Sequence, residues 1–189
     1  DFRRYKDKVK YWLTFNEINI PCMGEGGIGN LYGLGLMDES DINADHRIPL
    51  SELKSDPQKT YTALHHEFIA SALTVKLGHE INPDFMIGNM ICHITWYPLT
   101  PNPKDMLEFQ RRDEICNDLC GDVQVRGEYP FFAKKYFDDL GIDSSFMNNE
   151  EDMAIIKEGT IDFYTFSYYM SNCVTVQEGV DQVKGNMMG

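Results

Sequence analysis

Residues 11–19 read YWLTFNEIN, and this stretch decides the fold. Its first five residues form an apolar run of strand length that is rich in β-favouring side chains. An amide and a carboxyl group, Asn16 and Glu17, follow directly. Because the carboxyl ends of the strands open onto the active face of an α/β barrel, this order predicts a chemically useful carboxyl group at that face. A helix cap or a solvated turn would explain the same pair of residues.

Two further strands are predicted downstream, over residues 85–92 and 161–169. The first of them is a nearly continuous apolar run, which is typical of a strand covered on both faces. Apolar residues at helical spacing, capping residues, prolines and glycines predict helices over residues 3–10, 57–77, 102–121, 130–140 and 150–157. Strands that alternate with helices indicate parallel pairing through right-handed crossovers, so the predicted class is α/β.

The chain shows no internal repeat, no low-complexity tract and no linker. We therefore expect residues 1–189 to form a single domain or part of one, without a second domain. Residues 18–56 are rich in Gly, Asn and Asp and show no sustained period, which predicts a long surface loop beside a site. A less regular tail is expected after the third strand, up to residue 189.

Composition excludes several kinds of partner. The 17 Lys and Arg residues against 30 Asp and Glu residues give a net charge of −13, which repels nucleic acids and anionic lipid surfaces. No stretch approaches the ~20 apolar residues of a membrane span, and the first residues lack the apolar segment of a signal peptide. Five cysteines without a CxxC pair favour reduced thiols in the cytoplasm. The first residue is not Met, so we expect that the chain does not begin at a natural translation start.

Four histidines, together with Glu67, raise the question of a metal site: His65, His66, His79 and His93. The side chains of His65 and His66 diverge by roughly 100° on a helix, because an α-helix has 3.6 residues per turn. The spacing also differs from the HExxH arrangement that brings two imidazoles to one face. We therefore expect structural or solvated histidines and no metal.

Glycine-rich and aromatic segments also allow both a functional and a structural explanation. Residues 24–30 lack the Gly-Lys-Ser/Thr sequence of a phosphate loop, which favours a flexible loop on the substrate side. Helical spacing predicts a core position for four aromatic residues, Tyr129, Phe131, Phe132 and Tyr136. Trp96 and Tyr97, expected just beyond the second strand, would either stack on a sugar or pack against a helix.

Residues 11–17 closely resemble the acid/base motif of glycoside hydrolase family 1, which is written T-F-N-E-P. The variant N-E-I-N at residues 16–19 is similar to the phospho-glycosidase branch of that family. The resemblance continues in order through residues 63–67, 76–85, 122–127 and 163–171, and so covers nearly the whole chain.

The resemblance implies a (β/α)8 TIM barrel, of which the three predicted strands would be the fourth, fifth and sixth. The chain would thus be a partial barrel. Glu17 matches the general acid/base, and Asn16 matches the residue that binds the 2-hydroxyl of the sugar. Tyr169 matches the tyrosine that approaches the nucleophile, and Tyr168 would be a packing residue. The family's chemistry implies no metal and no organic cofactor.

The chain departs from the family pattern because it lacks the motif that carries the second catalytic carboxylate. The nucleophile of the family lies in a T-E-N-G-type motif, and residues 169–189 contain no such motif. The motifs that grip the sugar and the 6-phosphate in phospho-specific members are also absent from this sequence. A retaining glycosidase needs two carboxyl groups about 5–5.5 Å apart. The resemblance therefore implies an internal, inactive segment of a cytoplasmic 6-phospho-β-glucosidase that acts on phosphorylated β-glucosides.

Two alternatives belong to other functional classes. Three barrel strands leave exposed strand edges, which invite pairing. The chain would then be a noncatalytic α/β fragment that forms a homo-oligomer or complements other barrel segments. The remaining alternative is an independent sugar-binding module.

Overall fold

The computed structural model describes residues 1–23 and 27–180, apart from the side chains of Ile28 and Ser51. Its strands are β1 (Tyr11–Leu13), β2 (Met86–Gly88), β3 (Ile91–Pro98) and β4 (Phe166–Val174). The α-helices are α1 (Phe2–Tyr5), α2 (Gly27–Leu34), α3 (Glu39–Ile42), α4 (Pro57–Ile81), α5 (Pro103–Asp113), α6 (Leu119–Arg126), α7 (Ala133–Asp139) and α8 (Glu150–Glu158). None of these helices is long and apolar enough to cross a bilayer.

The strand pairs in the described part of the chain are all parallel. β1 pairs with β2, so that Trp12 lies opposite Ile87, and β3 pairs with β4, so that Ile91 lies opposite Phe166. Two residues separate β2 from β3, and a parallel bridge between Gly88 and Phe163 continues the ladder across this interruption. Three strand paths therefore run side by side with helices between them, which confirms the α/β class and the partial (β/α)8 barrel.

Helix α4 forms because its sequence supplies both a start signal and an apolar stripe. The carboxylate of Asp56 accepts hydrogen bonds from the backbone amides of residues 58 and 59, and Pro57 occupies the first turn. The predicted stripe is buried, namely Tyr61, Leu64, Phe68, Ala72 and Val75. Tyr61, Leu64 and Phe68 of this stripe join the main core, to which α6, α7 and α8 contribute the buried residues Leu119, Val123, Ala133, Phe137 and Ile156. Val75 packs in a second, smaller cluster with Phe85 and Ile87.

Several predicted boundaries were wrong. The first helix ends at Tyr5, and the first strand at Leu13. The third strand runs over residues 166–174 instead of 161–169. The helix that was expected to stop at Gly121 passes through a π-helical segment, Glu114–Asp118, and continues as α6. It ends at Gly127, whose φ of +69° is the left-handed conformation that glycine adopts at helix ends.

The long loop predicted over residues 18–56 is also incorrect in part. It contains α2, α3 and two 3₁₀ turns, Ile20–Cys22 and Leu50–Glu52. Of the expected flexible loop at residues 24–30, residues 24–26 lie outside the described part of the chain and the rest begin α2. The predicted irregular tail is described only as far as residue 180.

Two expectations about aromatic residues need correction. Phe131 is 89% exposed and is no core residue, whereas Tyr129, Phe132 and Tyr136 pack against the main core. Trp96 and Tyr97 lie inside β3 instead of beyond it.

Candidate functional site

Glu17 lies four residues after β1, at the carboxyl ends of the parallel strands. Its side chain is buried, and the hydroxyl of Tyr169 donates a hydrogen bond of 2.6 Å to its Oε1. The backbone of Glu17 has a φ of +52°, and it is the one residue other than glycine with a positive φ in the described part of the chain. Such a conformation costs free energy and persists only where the surroundings enforce it. Glu17 therefore has a strained backbone, and its carboxyl group is fixed by a hydrogen bond from the Tyr169 hydroxyl.

Tyr169 reaches Glu17 because of an irregularity in β4. His93 pairs with Tyr168, but the next residue of β3, Ile94, pairs with Met170. Tyr169 is thus the extra residue of a β-bulge, a device that re-aims a side chain. The hydrogen bond to Glu17, together with the negative charge of that carboxylate, raises the pKa of the Tyr169 hydroxyl. The preceding Tyr168 turns elsewhere and hydrogen-bonds the hydroxyl of Ser171.

Asn16 occupies the same turn as Glu17 and is exposed. Within the described part of the chain, its amide makes no hydrogen bond to another side chain or to the backbone. The amide therefore has both donor and acceptor capacity left for a ligand beside Glu17.

Asn19 is a residue of this turn whose role the sequence did not reveal. Its side chain is completely buried. The Nδ2 group donates to the carbonyl oxygens of Cys92 at 2.8 Å and of Cys116 at 2.6 Å, and Oδ1 accepts from the Cys92 amide at 2.8 Å. The Glu17 turn is thereby fastened to β3 and to the π-helical segment. Its place in the N-E-I-N motif at residues 16–19 was the one sequence signal that pointed to this residue.

Buried polar side chains form a network beneath the site. The hydroxyl of Ser71 donates to Thr14 at 3.0 Å and accepts from Gln124 Nε2 at 2.9 Å. Gln124 in turn accepts from Asn89 Nδ2 at 3.1 Å. These contacts connect the end of β1 with α4, α6 and the interruption between β2 and β3.

Two further titratable groups, Cys92 and Glu67, differ in their environments. Burial, and then the charge of Glu17, raises the pKa of the Cys92 thiol to about 11, so this thiol is protonated at neutral pH. Burial also raises the pKa of Glu67 to about 7, and its Oε2 has no hydrogen-bond partner among the described residues. At neutral pH the Glu67 carboxyl group is therefore present in both its protonated and its ionised form.

Two of the four histidines contact polar side chains within the fold. His65 is buried, with Nδ1 2.8 Å from the Tyr129 hydroxyl, and burial lowers its pKa. His79 pairs with Asp162 at 2.9 Å. Among the described residues, no group of three or more His, Cys, Asp or Glu side chains is arranged to hold a metal ion.

Trp96 and Tyr97 differ in their surroundings. The guanidinium of Arg112, in α5, lies 5.7 Å from the centre of the Trp96 ring, which favours the helix-packing alternative for this tryptophan. Tyr97 is 53% exposed.

Comparison with known proteins extends these observations. A beta-glucosidase from Thermotoga maritima, solved in complex with deoxynojirimycin, superposes with a TM-score of 0.71 at 22% identity, covering 98% of this chain and 37% of that one. The 6-phospho-beta-glucosidase of Clostridium longisporum is 44% identical over 177 residues, which is 94% of this chain and 33% of that protein. The aryl-phospho-beta-D-glucosidase BglA of Bacillus subtilis is 38% identical over 181 residues, covering 92% and 33% respectively.

The parallel strands with helices between them, together with this superposition, define the fold as a segment of a (β/α)8 barrel of the kind found in the solved glucosidase. The model of Glycosyl hydrolase family 1 matches residues 1–187, and the chain belongs to this family. It spans about a third of the length of the curated relatives it matches.

Proposed function

We propose that this chain is the acid/base-bearing segment of a retaining 6-phospho-β-glucosidase. The hydrogen bond of 2.6 Å between Tyr169 and Glu17, at the carboxyl ends of the strands, is the observation that carries the proposal. Several relatives, including those from Clostridium longisporum and Dickeya chrysanthemi, are named 6-phospho-beta-glucosidases, which supports phosphorylated β-glucosides as the substrate class.

In the first step, the Glu17 carboxyl group donates its proton to the glycosidic oxygen while the bond from that oxygen to the anomeric carbon breaks. A carboxylate from another part of the complete barrel attacks the anomeric carbon and forms a covalent glycosyl-enzyme. Glu17 then removes a proton from water, which displaces the enzyme carboxylate and releases the sugar. The acid/base is returned to its protonated form.

Asn16 and Tyr169 have supporting roles in this proposal. The exposed amide of Asn16 binds the 2-hydroxyl of the sugar next to the reacting carbon. Two carboxyl groups about 5–5.5 Å apart are close enough for one phenol to lie between them. Tyr169, already bonded to Glu17, would therefore orient the nucleophile from that position. No metal or organic cofactor takes part in these steps.

The test uses a chimeric barrel, in which residues 1–187 replace the matching third of the Clostridium longisporum enzyme. We expect this barrel to hydrolyse phenyl β-glucoside 6-phosphate, and the isolated chain not to. Glu17→Gln should lower kcat/KM by about 10²–10⁴-fold, the range that a general acid contributes. Glu39→Gln replaces an exposed carboxyl group at the start of α3 and serves as the matched control, with activity unchanged. Full activity of the Glu17→Gln barrel would refute the proposal.

A second candidate role is that of a noncatalytic segment that forms a homo-oligomer. Tyr11 in β1 and Phe166 in β4 are 65% and 57% exposed, and within the described residues each of these strands pairs on one side only. Open strands with exposed aromatic residues favour association.

A further inference from the structure

Beyond the end of β1, two asparagine side chains hydrogen-bond the edge of β3 that faces away from β4. In a parallel ladder, alternate residues direct their backbone groups to opposite neighbours. On the side away from β4, the backbone of β3 continues past the last pair of β1, which is Leu13 with Gly88. At Cys92 and Ile94 an asparagine amide takes the place of a strand, because Asn19 bonds the N–H and the C=O of Cys92, and Asn117 bonds those of Ile94.

The two amides differ in what else they hold. Asn117 belongs to the π-helical segment, and its second donor goes to Asp113 within the same stretch of helix. Asn19 lies two residues after Glu17, and its second donor goes across to the Cys116 carbonyl. Three hydrogen bonds therefore tie the Glu17 turn to two other elements.

The Glu17 turn needs such an anchor. A left-handed backbone at a residue other than glycine costs on the order of 1–3 kcal/mol, and it relaxes when nothing enforces it. The amide of Ile20 donates to the carbonyl of Glu17 at 3.0 Å, and the amide of Cys22 donates to that of Asn19 at 2.9 Å. These bonds make residues 17–22 two consecutive, internally bonded turns.

We propose that Asn19 is a positioning residue for the acid/base carboxyl group, acting through the backbone of the Glu17 turn. This inference rests on the proposed function of Glu17. By completing the unpaired edge of β3, Asn19 sets where the turn leaves the barrel. It thereby sets where the Glu17 carboxyl group meets the leaving oxygen.

The leaving group of the substrate provides a direct test in the chimeric barrel. A poor leaving group such as phenoxide depends on proton donation, whereas 2,4-dinitrophenoxide departs without it. For Asn19→Leu we expect kcat/KM to fall about 10–100-fold on phenyl β-glucoside 6-phosphate, because a small misplacement of a catalytic group has effects of this size. On the 2,4-dinitrophenyl substrate the loss should stay within about threefold.

The matched control is Asn117→Leu, which removes an equally buried amide from the same strand edge. It should lower thermal stability, but leave the ratio of the two activities unchanged. An equal loss on both substrates for Asn19→Leu, or the same ratio change for Asn117→Leu, would overturn the inference. If instead Glu17→Gln itself shows no leaving-group dependence, the proposed function fails and not merely the role of Asn19.

A second variant covers the case in which Asn19→Leu does not fold. Asn19→Asp keeps the size of the side chain and the acceptor for the Cys92 amide, but loses at least one donor. It should show a smaller change of the activity ratio in the same direction. An unchanged ratio in a folded Asn19→Asp barrel would count against the inference.

Discussion

At the scale of single residues, Glu17 is held from two sides. Tyr169 contacts its carboxylate from β4, and Asn19 fixes its backbone to β3. The first contact depends on a β-bulge that gives two consecutive tyrosines different partners. Tyr168, which precedes Tyr169 and bonds Ser171, therefore serves as a control for the phenol next to Glu17.

Tyr169→Phe removes the hydroxyl that donates to Glu17, and we expect kcat/KM of the chimeric barrel to fall about tenfold. A hydrogen bond to a charged group is stronger than a neutral one, but Tyr169 is half exposed, which limits the loss. Tyr168→Phe removes an equally exposed hydroxyl that contacts Ser171, and its kinetics should not change. Equal losses in the two variants would show that the bulge does not select Tyr169.

The sequence predicted part of this site. Glu17 and Asn16 could be found because a polar pair directly follows an apolar strand, and Tyr169 because it matches a family motif. Asn19 could not be assigned a role, since its partners Cys92 and Cys116 are 73 and 97 residues away. The positive φ of Glu17 was equally invisible, because no glycine or asparagine marks the position.

At the scale of elements, Gln124 connects helices and strands beneath the site. It links Ser71 of α4 to Asn89, which lies between β2 and β3. Asn89 is completely buried, so the loss of its partner leaves a donor without water.

Gln124→Leu should lower the free energy of unfolding by about 1–3 kcal/mol, the cost of a buried polar group without a partner. Urea unfolding of the chimeric barrel, followed by circular dichroism, measures this change. Gln110→Leu is the matched control, because Gln110 is exposed and, among the residues that the structure describes, its side chain bonds only Glu114 one turn away. Its effect should stay within about 0.5 kcal/mol. Equal destabilisation by the two substitutions would contradict a supporting role for the network.

The elements themselves were predicted with unequal success. Helix α4 was found because Asp56, Pro57 and the apolar stripe all agree. The continuation of the helix past Gly121 was missed, because this glycine lies inside the helix beside Tyr164, where an added Cβ would come within 3.0 Å of the ring. Its role as a packing glycine depends on a tertiary contact that local sequence does not contain.

At the scale of the whole molecule, the two parallel strand pairs and the bridge between Gly88 and Phe163 place three strand paths side by side, with two outer edges. Within the described residues, β1 and β4 each have a strand neighbour on one side only. Exposed apolar side chains accompany both of them.

We expect the isolated chain to self-associate at micromolar concentration through these strands. Leu13→Lys places a charge on β1 and should shift the population toward the monomer in size-exclusion chromatography with light scattering. Leu140→Lys, at the end of α7, changes a leucine that is 45% exposed, compared with 44% for Leu13, and should leave the mass distribution unchanged. A monomeric unsubstituted chain would refute the association.

The left-handed backbone of Glu17 has a consequence for protein engineering and for neutral drift. Glycine adopts this conformation without a steric penalty, so Glu17→Gly would relieve backbone strain while it deletes the carboxyl group. Selection for thermostability alone would therefore favour the loss of the residue on which the proposed chemistry depends. A directed-evolution library made from this segment needs an activity screen at every round, because at residue 17 stability favours glycine and turnover requires glutamate.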